Sequence, residues 1–224
     1  MISSFIKNSG AKGTISNFIR SFAVKPWDKN DPRNEWEKMV AGDMYLSGDP
    51  DLCKLREKCR LLMEEYNFRT TIADLKQRKK VLDKLLQNDF ENLYIEPPIY
   101  FDYGCNTTFG KNCYMNYGCT ILDVNKVTIG DNVMFGPNAG VYTATHPTDA
   151  KSRISGAEYG LPIKIGDNCW IGANAVICPG VTIGDNVVVA AGSIVNKDIP
   201  SDCVVAGNPA KIIKRLEPYK YKKE

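Results

Sequence analysis

From about residue 99 to residue 206, apolar side chains return every six positions. Ile165, Ile171, Ile177, Ile183, Val189 and Val195 form the longest unbroken series, and a small residue often follows, as at Gly166, Gly172, Gly184 and Ala190. Four residues after each apolar position come Cys169, Ala175, Val181, Val187 and Ser193. Ile129, Phe135 and Val141 repeat the pattern upstream, and Phe109, Met115 and Ile121 give an earlier series with Cys113 and Cys119 at the small inward position. A period of six fits neither a helix nor a plain strand. It fits short strands joined by tight turns, with one apolar side chain per face pointing to a common axis. Three faces make a coil of about 18 residues, and stacked coils bury a core that no single coil could bury. Gly130-Asp131-Asn132 and Gly184-Asp185-Asn186 supply turns, so Asp131, Asp167 and Asp185 read as turn formers rather than metal ligands. The pattern predicts a mainly β chain wound as a single-stranded left-handed parallel β-helix of roughly five coils.

The period stops at Val141-Tyr142-Thr143-Ala144-Thr145-His146 and resumes near Leu161. Residues 147–160 are expected as a loop thrown out from the coil, and long loops in compact domains are often functional. Before residue 93 the spacing turns helical. Pro50, preceded by Asp49 and Ser47, marks a helix start. Leu52, Leu55, Cys59, Leu62, Met63 and Tyr66 follow at helical intervals, and a second helix over 71–87 presents Ile72, Leu75, Leu82 and Leu86. Pro97-Pro98 marks the junction to the coils. The chain divides into a basic extension (1–33), an α-helical cap (34–92), the β-helix (93–210) and a basic tail (211–224).

Composition narrows the function. The chain has 224 residues, with 29 Lys and Arg against 26 Asp and Glu, one His and eight Cys. A net charge of +3 is too small to make nucleic acid the main partner. No apolar run reaches the roughly 18 residues needed to cross a bilayer. One His excludes any site built from several, including three-His zinc centres, so no metal is expected and a γ-type carbonic anhydrase on the same coil is ruled out. The cysteines form no C-x-x-C pair and read as reduced thiols used as small apolar residues. Residues 1–25 hold Lys7, Lys12, Arg20 and Lys25, no acid, and Phe5, Ile6, Ile15, Phe18, Ile19 and Phe22. That composition fits a mitochondrial presequence or a surface-binding helix as well as a docked extension. A cytoplasmic location is expected, with a mitochondrial one as the alternative.

The only His, His146, falls at the mouth of the interruption. A free imidazole titrates near pH 6.5 and can take a proton from a hydroxyl at neutral pH. No Ser–His–Asp or Cys–His pair is recognisable by spacing, so a lone base serving direct attack on a bound acyl donor fits better than an acyl-enzyme. Asn116, in Tyr114-Met115-Asn116-Tyr117, reads either as a turn residue or as an amide that polarises a carbonyl. Nucleotide-cradling glycine motifs are absent.

The stretches Tyr142-Thr143-Ala144-Thr145-His146-Pro147, Arg153-Ile154-Ser155-Gly156-Ala157-Glu158 and Pro162-Ile163-Lys164-Ile165-Gly166-Asp167-Asn168-Cys169-Trp170-Ile171-Gly172 resemble the maltose O-acetyltransferase group of hexapeptide-repeat transferases. So do Pro179-Gly180-Val181-Thr182-Ile183-Gly184-Asp185-Asn186, Val205-Ala206-Gly207-Asn208-Pro209-Ala210-Lys211 and the opening Glu37-Lys38-Met39-Val40-Ala41-Gly42-Asp43-Met44-Tyr45. The likeness covers about residues 34–216. It implies acetyl-CoA as donor, a sugar hydroxyl as acceptor, His146 as catalytic base and Asn116 beside the reacting thioester. It places Asp102, Tyr114 and Asp123 at the sugar, and Trp170 at an acceptor pocket on a subunit boundary. It places Ala173, Ala191, Asn196 and Lys197 along the pantetheine arm, and Lys211 and Lys214 at the coenzyme phosphates. Asn196 stands where a Thr is frequent, and Lys replaces Arg at 211 and 214, giving point charges instead of bidentate forks. The group's trimers lead us to expect a homotrimer with sites between neighbouring coils. The alternatives are a non-catalytic β-helix used as an assembly platform, or an acetyltransferase for a non-sugar hydroxyl. The joint presence of His146, Asn116, Trp170 and the basic residues after Gly207-Asn208-Pro209 argues against the platform.

Overall fold

Apolar residues at the six-residue interval become the inward positions of three parallel sheets. The computed structural model describes residues 24–218, so most of the basic leading segment, and Lys220, Lys222 and Lys223 of the tail, lie outside the described residues. Face I carries Tyr94–Ile95, Tyr114–Met115, Met134–Phe135, Trp170–Ile171, Val187–Val189 and Cys203–Ala206. Face II carries Tyr100–Phe101, Thr120–Leu122, Gly140–Tyr142, Val176–Ile177 and Ile194–Val195. Face III carries Thr107–Phe109, Val127–Ile129, Ile163–Ile165 and Thr182–Ile183. The inward row of face I, Ile95, Met115, Phe135, Ile171, Val189 and Val205, is buried throughout. Each such side chain contributes about 1.5–3 kcal/mol by leaving water.

The coils are not uniform. Tyr114 pairs with Tyr94 and Met134 with Tyr114, a step of 20 residues, whereas Val188 pairs with Trp170 and Ile194 with Val176, a step of 18. The expected 18-residue coil therefore holds only in the later part. The two extra residues lie between faces II and III, where residues 102–106 and 122–126 form a wider corner.

The other corners use left-handed backbone. Asn112, Asn132, Asn168 and Asn186, at the corner from face III to face I, have φ between +54° and +58°, a region Asn tolerates better than other side chains. Their amides form a ladder: Asn112 Nδ2 donates to Asn132 Oδ1 at 3.2 Å, and Asn132 Nδ2 to Asn168 Oδ1 at 3.0 Å. Asp131, Asp167 and Asp185 each accept a backbone N–H from the preceding coil, at 2.8, 2.9 and 2.8 Å. They are turn formers.

The cap packs beside the first coils. Helix α1 (Glu35–Ala41) starts with a capping box between Asn34 and Glu37 and ends on Gly42. Helix α2 (Pro50–Glu64) is capped by Asp49 and buries Leu52, Cys59 and Met63, while Leu55 remains partly exposed. Helix α3 (Leu75–Leu86) is shorter than the expected 71–87. Asp74 is its cap, so Ile72 precedes the helix, and both Ile72 and Leu75 are exposed. Its inward face is Arg78, Val81, Leu82, Leu85 and Leu86.

Residues 147–160 hold structure of their own. A short helix α4 (Ala150–Ile154) leads into the strand Ala157–Gly160, which pairs antiparallel with Ala144–Thr145 on one side and Tyr45–Leu46 on the other. After the last coil, Lys211–Arg215 turns back and pairs antiparallel with Cys203–Ala206. No helix among the described residues is long and apolar enough to cross a membrane.

Candidate active site

The wide corner between faces II and III is where the cap meets the coils. Met39, Tyr45, Leu52, Tyr103 and Val124 form a second buried cluster there, with Trp36, Val40, Cys105 and Ala144 against it. Asn125 ties three segments together: its Nδ2 donates to Gly160 O at 2.9 Å and to Met39 O at 3.4 Å, and its N–H donates to Thr143 Oγ1 at 3.0 Å.

His146 follows the strand Ala144–Thr145 at this corner, with its side chain 57% exposed. The antiparallel register sets Glu158 opposite Tyr45. The Tyr45 hydroxyl donates to Glu158 Oε1 at 2.6 Å, and Glu158 Oε2 lies 3.9 Å from His146 Nε2. Tyr45 is fully buried. That burial, and then the charge of Glu158, push its phenol far above the ordinary tyrosine range, so it remains a donor. Asp102 lies close by; burial raises its carboxyl, Arg56 opposes the shift and Glu158 adds to it. Arg56 donates to Tyr103 Oη at 2.7 Å and to Ser47 O at 2.6 Å, so the cap's second helix is fastened to the first coil at this site.

Asp123 has a different place from the one expected. Its side chain is fully buried and accepts from Tyr103 N at 2.9 Å and Thr107 Oγ1 at 3.1 Å. Burial pushes its carboxyl up to about 7 against those bonds and one from the Gly104 N–H. Both oxygens are thus engaged inside the corner, where Asp123 shapes the turn.

The other expected residues fall on a second edge, between faces I and II, and on face I itself. Asn116 follows the strand Tyr114–Met115. Its Oδ1 accepts from Tyr117 N at 2.8 Å, which leaves Nδ2 for a carbonyl oxygen. Ala173 and Ala191 lie at the same edge two and one coils below the chain's last turn, where Gly192 N bonds Ala173 O at 2.8 Å. Tyr114 and Trp170 point outward from face I in one row with Met134, Val188 and Val204. Trp170 is 52% exposed.

Lys211 and Lys214 close that row. Residues three apart on a regular strand point to opposite sides. Here a bulge falls between the pairs Val204↔Lys214 and Val205↔Ile212, and Lys211 pairs with Ala206. The bulge takes up the extra residue, Ile213, so both lysines sit opposite outward positions of the last coil. Asn196 and Lys197 instead follow the strand Ile194–Val195, on the His146 edge.

Within one chain the expected residues therefore fall into two groups. His146, Asp102, Asn196 and Lys197 lie on one edge; Asn116, Trp170, Ala173, Ala191, Lys211 and Lys214 lie on the other edge or on face I. Face II separates them by about five residues of extended chain, roughly 16 Å at ~3.3 Å per residue. Glu158, Tyr45, Arg56 and Tyr103 were not singled out by the sequence. Glu158 sits inside the stretch without the six-residue period, and only the alternation Ala157-Glu158-Tyr159 marks it as a strand residue facing away from its buried neighbours.

Comparison with known proteins agrees with this architecture. The model for the hexapeptide repeat of succinyl-transferase matches residues 126–145 and 162–197, and the maltose acetyltransferase hexapeptide capping motif matches residues 38–88. A galactoside O-acetyltransferase of Escherichia coli is 41% identical over 180 residues, covering 80% of this chain and 88% of the relative. The crystal structure of a maltose O-acetyltransferase from Clostridium difficile superposes with a TM-score of 0.81 at 47% identity, covering 83% of this chain and 99% of that one. A hexapeptide-repeat acetyltransferase from Vibrio cholerae, solved with acetyl coenzyme A, gives a TM-score of 0.76 at 34% identity over 83% of this chain and 100% of its own. The chain is an acyltransferase and belongs to the hexapeptide-repeat acetyltransferases, among the relatives of the maltose and galactoside O-acetyltransferases.

Proposed function

We propose that the protein transfers an acetyl group from acetyl-CoA to a sugar hydroxyl, with His146 as general base and with each site shared between two copies of a homotrimer. The observation that carries this reading is the His146–Glu158–Tyr45 array at the wide corner, in a chain whose Asn116 lies on the opposite edge and whose lysine pair lies on face I. The donor supplies a thioester carbon. His146 accepts the proton of the acceptor hydroxyl as its oxygen bonds that carbon, and the proton leaves with the departing thiol. The 3.9 Å separation of Glu158 from Nε2 exceeds a hydrogen bond. It is an ion-pair distance at which the carboxylate stabilises the imidazolium as it forms. Asn116 Nδ2 supplies the donor for the thioester oxygen. Asp102 and Trp170 line the acceptor, and Lys211 and Lys214 offer cations for phosphates.

The faces support the assembly. Face III presents Thr108, Thr128, Lys164 and Thr182 outward, which suits water. Face I presents Tyr114, Met134, Trp170, Val188 and Val204 in a continuous row, and face II presents Val176 and Ile194. Apolar rows of this extent mark interaction surfaces. A head-to-tail contact that brings one copy's Asn116 edge to the next copy's His146 edge closes as a ring of three.

The test is an acetyl-transfer screen of mono- and disaccharides with acetyl-CoA, following thiol release. Turnover on glucose, maltose or a galactoside with sequential kinetics is expected. A ping-pong pattern, or an acetylated enzyme trapped without acceptor, defeats direct attack. Turnover confined to non-sugar alcohols defeats the acceptor assignment.

A further inference from the structure

Tyr45 has one polar atom and no exposure, and a buried tyrosine hydroxyl needs a partner. Its partner is Glu158 Oε1 at 2.6 Å, the length of a charge-assisted bond. The cross-strand register of Tyr45 with Glu158 fixes the two backbones as well, so the bond sits on a rigid frame. Oε1 is thereby committed to the cap, and Oε2 is the oxygen that faces His146.

Two consequences follow. The carboxylate cannot rotate freely, so its second oxygen holds its aim. A donor on one oxygen also draws off part of the carboxylate's charge. A carboxylate with its full charge favours the protonated form of a neighbouring imidazole, and a protonated ring is no base. Other charged or titratable groups at this edge include Asp102 and Tyr103 of the first coil and Arg56 of α2, with Arg60 beside Asp102 and Lys197 after the strand Ile194–Val195. Those groups are unchanged by the substitutions below.

We propose that Tyr45 is a positioning residue, whose hydroxyl aims Glu158 at His146 and draws off part of the carboxylate's charge. This rests on the reading of His146 as the base.

The experiment uses Tyr45→Phe, Glu158→Gln and the double variant in the full-length protein. Phe keeps the buried ring, and a thermal melt of each variant confirms folding. The chain holds a single His, so imidazole NMR signals are unambiguous. Tyr45→Phe is expected to move the midpoint of the imidazole titration upward by about half a pH unit, and Glu158→Gln to move it downward. In the Glu158→Gln background the Tyr45 substitution should have no further effect, because its action runs through the carboxylate. In turnover, Tyr45→Phe should lower kcat about threefold below pH ~6, the full effect of a half-unit shift, and leave it nearly unchanged near pH ~8.5, with KM for the donor unchanged. An unmoved titration, a shift that persists in the Gln background, or a kcat loss equal at both pH values overturns the proposal. Wild-type protein that transfers no acetyl group sinks the base assignment itself. The titrations read the Tyr45–Glu158–His146 link without turnover, so the two failures are distinguishable.

Discussion

If each site takes His146 from one chain and Asn116 from its neighbour, two dead variants should rescue each other. The perturbation is His146→Ala in one chain and Asn116→Ala in another, mixed equally and reassembled. Face II holds the two positions roughly 16 Å apart within a chain, at ~3.3 Å per residue, which is beyond the reach of any shared small reactant centre. In a ring of three, each interface joins one chain's His146 edge to the next chain's Asn116 edge. An interface is intact only when the first chain carries Asn116→Ala and the second His146→Ala. With random assembly that occurs at about one interface in four, so about a quarter of wild-type activity should return. The assay is thiol release after co-refolding or co-expression, with each variant alone as baseline and the unmixed pair as control. A mixture no more active than the mean of the two variants refutes the shared site. Full recovery would refute it too, since random assembly leaves only about one interface in four intact.

Other outcomes follow from single features. His146→Ala should lower kcat by roughly 10²–10⁴ with little change in acetyl-CoA binding; turnover within a few-fold of wild type would make the ring structural. Lys211→Ala plus Lys214→Ala should raise KM for acetyl-CoA about tenfold at low salt and less at high salt. A donor lacking the nucleotide should be unaffected, and equal loss with both donors would defeat the phosphate assignment. Burial holds Asp123 at about 7, above an unfolded carboxyl near ~3.9. The folded state therefore binds the extra proton between those values, so this group's stabilisation is full below pH ~4 and lost as pH rises through 7. Asp123→Asn should remove that component from a scan of Tm against pH, and an unchanged slope would refute it. Asn132→Ala should cost about 2–3 kcal/mol in denaturant unfolding through its left-handed backbone and its broken amide ladder. Asn132→Gly should cost less, and equal cost would place the whole effect in the ladder.

The coils were legible because an inward side chain every six residues is a strong and redundant signal. Ile165 through Val195 repeat it without a break, and burial of each leaves little freedom of register. The wider corner was not legible in the same way. Ile121 and Ile129 are eight residues apart, and their gap holds Asp123, Val124 and Asn125, which look like turn residues and are in fact buried. Their burial comes from α1 and the strand Tyr45–Leu46 lying over them, a tertiary event that no local pattern encodes. Ile72 and Leu75 misled for the converse reason: helical spacing identifies an apolar stripe, and Asp74 then starts the helix too late for them to reach the coil.

The same widening makes room for the proposed site. A corner of minimal length has backbone on backbone, as at Gly172, where an added Cβ would meet Ala191 N at 2.5 Å. That corner leaves room for few side chains. Two more residues per coil between faces II and III open room for Asp102 and for the cap, and the strand Ala157–Gly160 then fills the space between cap and coil. Among the described residues that strand brings Glu158 to 3.9 Å from His146 from outside the repeat, while Asp123, at the same corner, is spent on the turn. The excursion that breaks the sequence period is thus the element that sets a carboxylate beside His146. Its pairing with Tyr45–Leu46 makes the cap part of the site rather than a cover over the end of the stack.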